Sequence, residues 1–268
     1  MLWNSWDGTP HKRRRDFWTL ALRQLNPLAS RLSPLRYFAD WRVNQYYQRT
    51  LTDLKLAREW AAHHLEGLNV RPRAAVLDHG CGRGRHTALL SQLGFQVSAQ
   101  DIESHAWWRK LPQCFFQKVP PSAPRLPWRD QAFNLVLDVG IIHYLTDEQL
   151  TVLANEVFRV LTPGGHWLLL EPNDESYGAY AMRRIIGHLH SVESARTVVA
   201  GAGFHEVDLT YEAFYAPVFP LFVNFVRNVA RPGPMDLSDF HSTLAARIPD
   251  RRRGFWRLRL IKPLVSGR

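Results

Sequence analysis

Short apolar runs alternate with an amphipathic segment in the middle of the chain. Ala74–Leu77 and Phe95–Ala99 have the length and composition of buried strands, and the apolar residues of Thr87–Leu93 recur at helical spacing. This strand–helix–strand order predicts a unit of the kind found in α/β folds with a mostly parallel sheet.

The turn between the first strand and the helix is rich in glycine. Asp78 ends the strand, and Gly80, Gly82 and Gly84 follow at every second position. Glycine permits a positive φ in a tight turn and allows the backbone to approach a ligand closely. Asp101 ends the second strand, where nucleotide-binding units of this type place an acid that binds ribose. The pattern therefore indicates a nucleotide-binding loop.

These residues, together with three later segments, resemble the class I S-adenosylmethionine-dependent methyltransferases. The resemblance covers about residues 74–172 and is closest to the type-11 branch, which includes ubiquinone, menaquinone and other small-molecule or lipid methyltransferases. The three later segments match the approach to the fourth strand, the stretch after that strand, and the helix and turn before the fifth strand: Leu126–Val136, Ile142–Leu145 and Glu156–Gly165.

The resemblance implies a Rossmann-like, mostly parallel, seven-stranded sheet with helices on both faces, an N-terminal helical cap and a basic C-terminal extension. It also implies S-adenosylmethionine as the cofactor. In the family the glycines pass under the methionine and ribose, the first acid orders the loop and faces the amino group, and the second acid accepts from both ribose hydroxyls. The cofactor-binding residues implied here are Asp78, Gly80, Gly82, Gly84, Asp101, Ile102 and Asp138.

The chain departs from the family pattern at several positions. His79 stands where the family usually has an apolar residue, and Arg83 and Arg85 make the loop basic. The stretch 115–124 has no acid to hold the adenine amine, and Asn134 replaces the usual Asp. The resemblance therefore leaves open how the adenine is held.

Two candidate catalytic residues follow the fourth and fifth strands. His143 is suited to act as a base near neutral pH if the acceptor is a phenol or an enol, although the family often carries a histidine here without that role. Glu171 is a second candidate for a base or a substrate-orienting group. Methyl transfer is an in-line displacement at an activated carbon, so we expect alignment to dominate catalysis and no metal to be needed.

Four tyrosines are candidates for contact with the acceptor: Tyr46, Tyr47, Tyr144 and Tyr177. The first two lie in the predicted N-terminal cap, and the last lies in a predicted helical insertion over residues 174–190. Aromatic residues on a helix are more often part of the core than of a ligand pocket, so both interpretations stay open.

Composition and charge divide the 268 residues into three parts. The formal net charge is +10, yet residues 1–36 carry +5 (seven Lys/Arg against two Asp/Glu) and residues 213–268 carry +7 (ten against three). We therefore predict a basic arm and cap over 1–70, a cofactor-binding domain over 71–212 and an aromatic, basic extension over 213–268. Two cysteines provide neither a disulfide framework nor a metal site, which is typical of a reducing compartment such as the cytoplasm.

The basic ends allow two interpretations, contact with an anionic partner or simple solvation. Phe17–Leu25 reads as a short amphipathic helix that either packs on the domain or lies at a membrane surface. Alternation in 256–262 predicts a final strand of the sheet, with a membrane contact as its rival, and 213–231 is the better membrane candidate. No apolar run is long enough for a membrane span, and no signal peptide is expected.

Three functions remain open at this stage. The first is methylation of a small apolar acceptor such as a quinone-like molecule, a lipid or a secondary metabolite, with peripheral contact to an anionic membrane. The second is methylation of RNA or protein through the basic ends, in which nucleic acid is the less favoured partner. The third is a cofactor-binding subunit at a membrane without catalysis.

Overall fold

The computed structural model describes residues 48, 50–120, 125–176, 179, 183, 189–212 and 249–264. Seven strands form one sheet in the order β3-β2-β1-β4-β5-β7-β6. The strands are β1 Ala75–His79, β2 Gln96–Asp101, β3 Phe115–Lys118, β4 Phe133–Val139, β5 Leu161–Pro172, β6 His205–Glu212 and β7 Phe255–Ile261. The predicted fold, a mostly parallel Rossmann-like sheet with helices, is confirmed.

The chain divides into two compact units. The first contains the described residues up to Asp138 together with Arg159–Trp167 and Leu264, and the second contains Val139–Phe158 and the described part of Leu168–Pro263. The predicted boundaries after residues 70 and 212 stay predictions.

Parallel pairing organises the first unit. β1 pairs with β2 and β4, and β2 pairs with β3. Helix α1 (Leu54–His64) begins at Asp53, whose side chain accepts a hydrogen bond from the Leu56 amide, and helix α2 (Arg85–Gln92) begins after Gly84. Fully buried Leu77, Leu90 and Leu135 lie in this core, and each such side chain contributes roughly 1.5–3 kcal/mol through its burial.

Arg159 fixes the loop that precedes β4. Its guanidinium donates to the carbonyls of Leu126 and Trp128 and to the carboxylate of Asp130. Arg159 in α3 therefore holds the Leu126–Val136 segment in place through these three hydrogen bonds.

The second unit contains most of helix α3 (Asp147–Val160) and all of α4 (Val192–Gly201). Thr146 accepts from the Gln149 amide at 3.3 Å, and the Gln149 side chain accepts from the Thr146 amide at 2.9 Å. This reciprocal cap satisfies two backbone amides at the start of α3. Ser191 caps α4 by accepting from the Ser194 amide.

The C-terminal strand confirms the structural interpretation of 256–262. β7 pairs with β6 in antiparallel register, and its Trp256, Leu258 and Leu260 are buried. The charged residues of the strand have partners, since Arg257 lies 3.0 Å from Glu212 and Arg259 pairs with Asp208. Part of the basic excess of this extension therefore belongs to the fold.

One predicted boundary was wrong. Pro163, Gly164 and Gly165 were expected to form a turn before the fifth strand, but β5 already begins at Leu161, directly after α3. Gly164 nevertheless has a φ of +77°, so the glycine takes the backbone conformation of a turn inside the strand.

Several predicted features lie outside the described residues: Tyr46, Tyr47, Tyr177, the segment Phe17–Leu25, the basic arm 1–36 and the aromatic segment 213–231. Across the described part of the chain, no helix has the length and apolar character needed to cross a membrane.

Candidate functional site

The glycine loop has the backbone conformation that its sequence predicts. Gly80, Gly82 and Gly84 have φ values of +68°, +54° and +86°, which favour glycine at all three positions. The Cys81 amide donates to the Gln100 carbonyl at 2.9 Å and ties the loop to β2. The turn leads into α2, and backbone amides at the start of a helix favour a negatively charged part of a ligand.

Asp101 holds this loop from the end of β2. One carboxylate oxygen accepts from the Gly82 amide at 2.7 Å, and the other accepts from the Glu103 amide at 3.0 Å. Each oxygen has a second lone pair, so the carboxylate keeps the capacity to accept from a cis-diol. Ile102 is half-buried at the same strand end. These positions fit the roles that the resemblance implies for both residues.

Trp108 also contacts the loop, and the sequence analysis did not single it out. Its indole N–H donates to the Gly82 carbonyl at 2.8 Å, and its ring stacks on Phe116 with the centroids 4.9 Å apart. A tryptophan seven residues after Asp101 was the available signal. The pair forms an apolar, planar surface beside the loop.

Asp78 is a buried carboxyl group at the end of β1. It accepts from the Thr87 hydroxyl at 2.5 Å and is 2% exposed. Burial raises its pKa to about 7, against the hydrogen bonds from Thr87 and with further contributions from the charges of Asp138 and Asp101. The group is therefore poised between its neutral and charged forms near neutral pH.

His79 and Asp138 form a hydrogen-bonded pair that the sequence alone did not reveal. The two residues are register partners on β1 and β4, and His79 Nδ1 contacts one oxygen of the fully buried Asp138. The other oxygen accepts from the Trp167 indole at 2.6 Å. Burial alone would lower the pKa of His79, but the charge and hydrogen bond of Asp138, with Asp101 and Asp78, raise it.

The charge of this cluster suits a cationic ligand. Three buried carboxyl groups, Asp78, Asp101 and Asp138, end adjacent strands, and the His79 ring lies among them. S-adenosylmethionine carries a sulfonium and an ammonium against one carboxylate. The carboxylate acceptors and the glycine turn therefore fit this cofactor. Arg83, which made the loop appear basic, is exposed, and Arg85 bonds to His86.

In the second unit, Glu171 and His143 form a buried dyad. One oxygen of Glu171 accepts from the amides of Ile141 and Ile142 at 2.8 and 3.2 Å, and the other lies 3.0 Å from His143 Nδ1. Both side chains are almost fully buried, at 1% and 6% exposed. In the neutral imidazole, a proton on Nδ1 that is donated to the carboxylate leaves Nε2 as the acceptor.

Two further residues frame the dyad. The Tyr144 ring lies 4.1 Å from the His143 ring, centroid to centroid. Gly140 has a φ of +66°, and a side chain there would meet the His143 ring at 3.4 Å. That contact distance is ordinary, so the positive φ is what favours glycine at this position in the segment after β4.

Asn173 is a structural residue that the sequence analysis missed. Its side-chain amide donates to the carbonyls of Arg251 and Arg253 at 2.9 and 2.8 Å, and its backbone amide donates to Gly254. It therefore ties the basic stretch before β7 to the end of the strand that carries Glu171. A lone asparagine after a strand gives no signal of such a partner in the sequence.

Comparison with known proteins agrees with this geometry. Residues 76–165 match the family described as a methyltransferase domain. An uncharacterized methyltransferase of Synechocystis is 34% identical over 126 residues, which cover 45% of this chain and 58% of that protein. The probable tRNA methyltransferase 9B of Bos taurus is 30% identical over 104 residues, covering 37% of this chain and 21% of that protein.

A solved methyltransferase structure has a similar fold. In the complex of the Haloferax volcanii Trm112 methyltransferase activator with a proposed methyltransferase, the matched chain has a TM-score of 0.55 at 18% identity, covering 84% of this chain and 97% of that one. The chain thus spans little more than half of the first curated relative and about a fifth of the second.

Residues 76–165 therefore match a methyltransferase domain, and that match supports the predicted enzyme class and the predicted cofactor, S-adenosylmethionine. The type-11 branch stays a prediction, as do the individual roles of the site residues.

Proposed function

We propose that the protein transfers a methyl group from S-adenosylmethionine to a small apolar acceptor whose reacting atom carries an acidic proton, such as a phenol or an enol. The observation that carries this proposal is the buried dyad of His143 and Glu171. A deeply buried base can reach only a small group that is inserted toward it, and an acceptor with an acidic proton is the kind that needs a base.

The first unit supplies the residues that would hold the cofactor. When bound, S-adenosylmethionine supplies a methyl group on a sulfonium, which is already activated for displacement. Asp101 would accept from the ribose hydroxyls, and Asp78 would face the ammonium. The glycine turn would let the backbone lie against the ligand.

Glu171 and His143 would act in sequence in the second unit. Glu171 is committed to two backbone amides and to His143, so its role is to orient the imidazole and to stabilise it once it gains a proton. His143 Nε2 would take the proton from the acceptor as the methyl group is transferred. Tyr144, beside the ring, would contact the acceptor.

The setting that we propose is the cytoplasm, and the two free cysteines, Cys81 and Cys114, support a reducing compartment. The described basic residues of β7 are paired within the fold and give a peripheral membrane contact no support.

A second candidate function is methylation of RNA or protein. The similarity to the probable tRNA methyltransferase 9B favours it, and so does the net charge of +5 over residues 1–36. Binding through such an arm would weaken steeply with added salt.

The acceptor class can be tested with a labelled methyl group. The purified protein is incubated with methyl-tritiated S-adenosylmethionine and a cell extract that has been separated into solvent-soluble small molecules, RNA and protein. We expect label in the small-molecule fraction, with incorporation reduced about 100-fold or more in His143→Gln and about 10-fold or more in Glu171→Gln.

Label in the RNA or protein fraction would instead establish the second candidate. Label in none of the fractions, with the cofactor bound, would support a subunit without catalysis. Tyr177 and the cap tyrosines Tyr46 and Tyr47 stay candidates for contact with whichever acceptor is found.

A further inference from the structure

We propose that His79 binds the carboxylate at the amino-acid end of the cofactor, as an imidazolium that Asp138 holds in place. This inference rests on the proposed use of S-adenosylmethionine and deepens it. It gives a role to the histidine that replaces the usual apolar residue of the resembled family.

The position of the ring is fixed from one side. His79 and Asp138 are directly paired across β1 and β4, and Trp167 holds the other oxygen of Asp138 at 2.6 Å. His79 Nδ1 therefore points inward to the carboxylate. Nε2 lies at the opposite edge of the ring, and within the described residues it has no hydrogen-bond partner. The side chain is 16% exposed, so this edge can be reached by a ligand.

The charges around the ring favour the imidazolium. Asp78 on β1, Asp101 on β2 and Asp138 on β4 all act on His79, and Trp167 is neutral. With Nδ1 committed to Asp138, the protonated ring offers a single N–H donor at Nε2. A donor that carries positive charge binds an anion most strongly.

The cofactor has one anionic group that meets this requirement. Its sulfonium and ammonium would be repelled by an imidazolium and attracted by Asp78 and Asp101, whereas its α-carboxylate would be attracted to His79. The charges of these side chains therefore favour one orientation of the amino-acid end, with the carboxylate at His79 and the ammonium at Asp78 and Asp101. A neutral His79 would do the opposite, since Nε2 would then accept a hydrogen bond from the ammonium.

The two arrangements differ in their response to pH. Binding of the carboxylate by an imidazolium strengthens as pH falls, and acceptance from the ammonium by a neutral ring strengthens as pH rises. Asp78, with a pKa of about 7, also changes charge near neutral pH, so the affinity of a single ligand would depend on both His79 and Asp78. Two ligands that share the amine and differ only in the carboxylate cancel the contribution of Asp78.

The test uses S-adenosylhomocysteine and its decarboxylated analogue, which keeps the amine. Both are titrated calorimetrically into the full chain and into His79→Gln and His79→Leu, at pH 6 and pH 9. We expect the wild type to prefer S-adenosylhomocysteine by roughly 10- to 100-fold at pH 6, the range for one charge-assisted hydrogen bond, and to lose most of that preference at pH 9. Both variants should lack the preference at either pH.

A further variant separates ligand contact from structural support. Asp138→Asn keeps the hydrogen-bonding shape but removes the charge, so the pH at which the preference is lost should move downward. Melting curves of each variant establish that the fold is intact.

A wild-type preference that rises with pH, or one that folded His79 variants retain, would overturn the assignment of His79 while leaving the cofactor in place. A folded wild type that binds neither ligand would overturn the proposed function itself.

Discussion

At the residue scale, three carboxyl groups lie at the ends of neighbouring strands of the sheet. Asp78, Asp101 and Asp138 are all buried, yet their surroundings differ. Asp101 accepts from two backbone amides, Asp138 from His79 and a tryptophan, and Asp78 from the hydroxyl and backbone of Thr87. Burial of a charged carboxylate costs free energy, and at Asp78 this cost outweighs the hydrogen bonds, so its pKa is raised to about 7.

Replacing Asp78 by asparagine should therefore change stability in a pH-dependent way. The folded-state pKa of Asp78, about 7, lies above its ordinary value of 3.8, so its contribution to stability is fully present below about pH 4 and is lost as pH rises through 7. The asparagine side chain does not ionise and has no such loss. We expect Asp78→Asn to gain stability relative to wild type between pH 5 and pH 8, by an amount on the order of a few kcal/mol.

Urea unfolding of both proteins without cofactor at these two pH values measures the difference. Thr87→Val serves as the matched control, because it removes the hydroxyl donor and should make the pH dependence steeper. An equal stability difference at pH 5 and pH 8 would contradict the account of Asp78.

The motif was sufficient to predict Asp78 and Asp101 but not their partners. Each of the two acids directly follows an apolar run that predicts a strand. In open α/β sheets, ligands bind beyond the carboxyl ends of the strands. The pairing of His79 with Asp138 depends on the register of β1 against β4, which the sequence does not encode locally. Glu171 illustrates the same limit, because its burial by two amides and His143 appears only in the fold.

Among the elements, the loop between β1 and α2 carries the most specific sequence signal. Positive φ angles at three alternate positions restrict all three to glycine, so a local rule predicted the local structure. β5 shows where such rules fail. Its proline and two glycines are typical of a turn, but pairing within the sheet extends the strand across them.

Two glycine substitutions separate the cost of a positive φ from the cost of a steric clash. A side chain at Gly84 would meet Phe116 and Leu111 at 3.4–3.5 Å, an ordinary contact distance, so the cost should come from its φ of +86°. We expect Gly84→Ala to destabilise the protein by about 1–2 kcal/mol.

Gly201, in the last turn of α4, is the matched control. Its added side chain would meet nothing within 4 Å and its φ is not positive, so Gly201→Ala should stabilise by about 0.5–1 kcal/mol. Thermal and urea unfolding report both changes. A Gly84→Ala protein as stable as wild type would show that the loop does not depend on a left-handed backbone.

At the scale of the whole molecule, charge had seemed to mark the C-terminal extension as a binding surface. The structure places Arg257, Arg259 and Lys262 in contacts with Glu212, Asp208 and the end of α3. The net charge of the segment therefore overstated how many of its basic side chains are available to bind a partner. A count of charges does not show which of them form salt bridges within the fold. The alternation of apolar residues in the same strand gave the better prediction, because it reflects burial on one face of a sheet.

Fold class and cofactor were predictable because many local signals agree along residues 74–172. The acceptor was not, because it depends on side chains from distant parts of the chain that no single motif brings together. His143 and Glu171 lie in different segments, and their contact is a property of the folded unit.

Binding of the cofactor through Asp101 is tested by calorimetric titration of S-adenosylhomocysteine into wild type, Asp101→Ala and Glu103→Ala. Asp101 would supply two charge-assisted hydrogen bonds to the ribose, whereas Glu103 is an exposed acid two residues away that controls for general electrostatics. We predict clear binding by wild type, a loss of about 100-fold or more in Asp101→Ala, and little change in Glu103→Ala. A folded wild type that does not bind, or an Asp101→Ala protein that binds as tightly as wild type, would contradict the account.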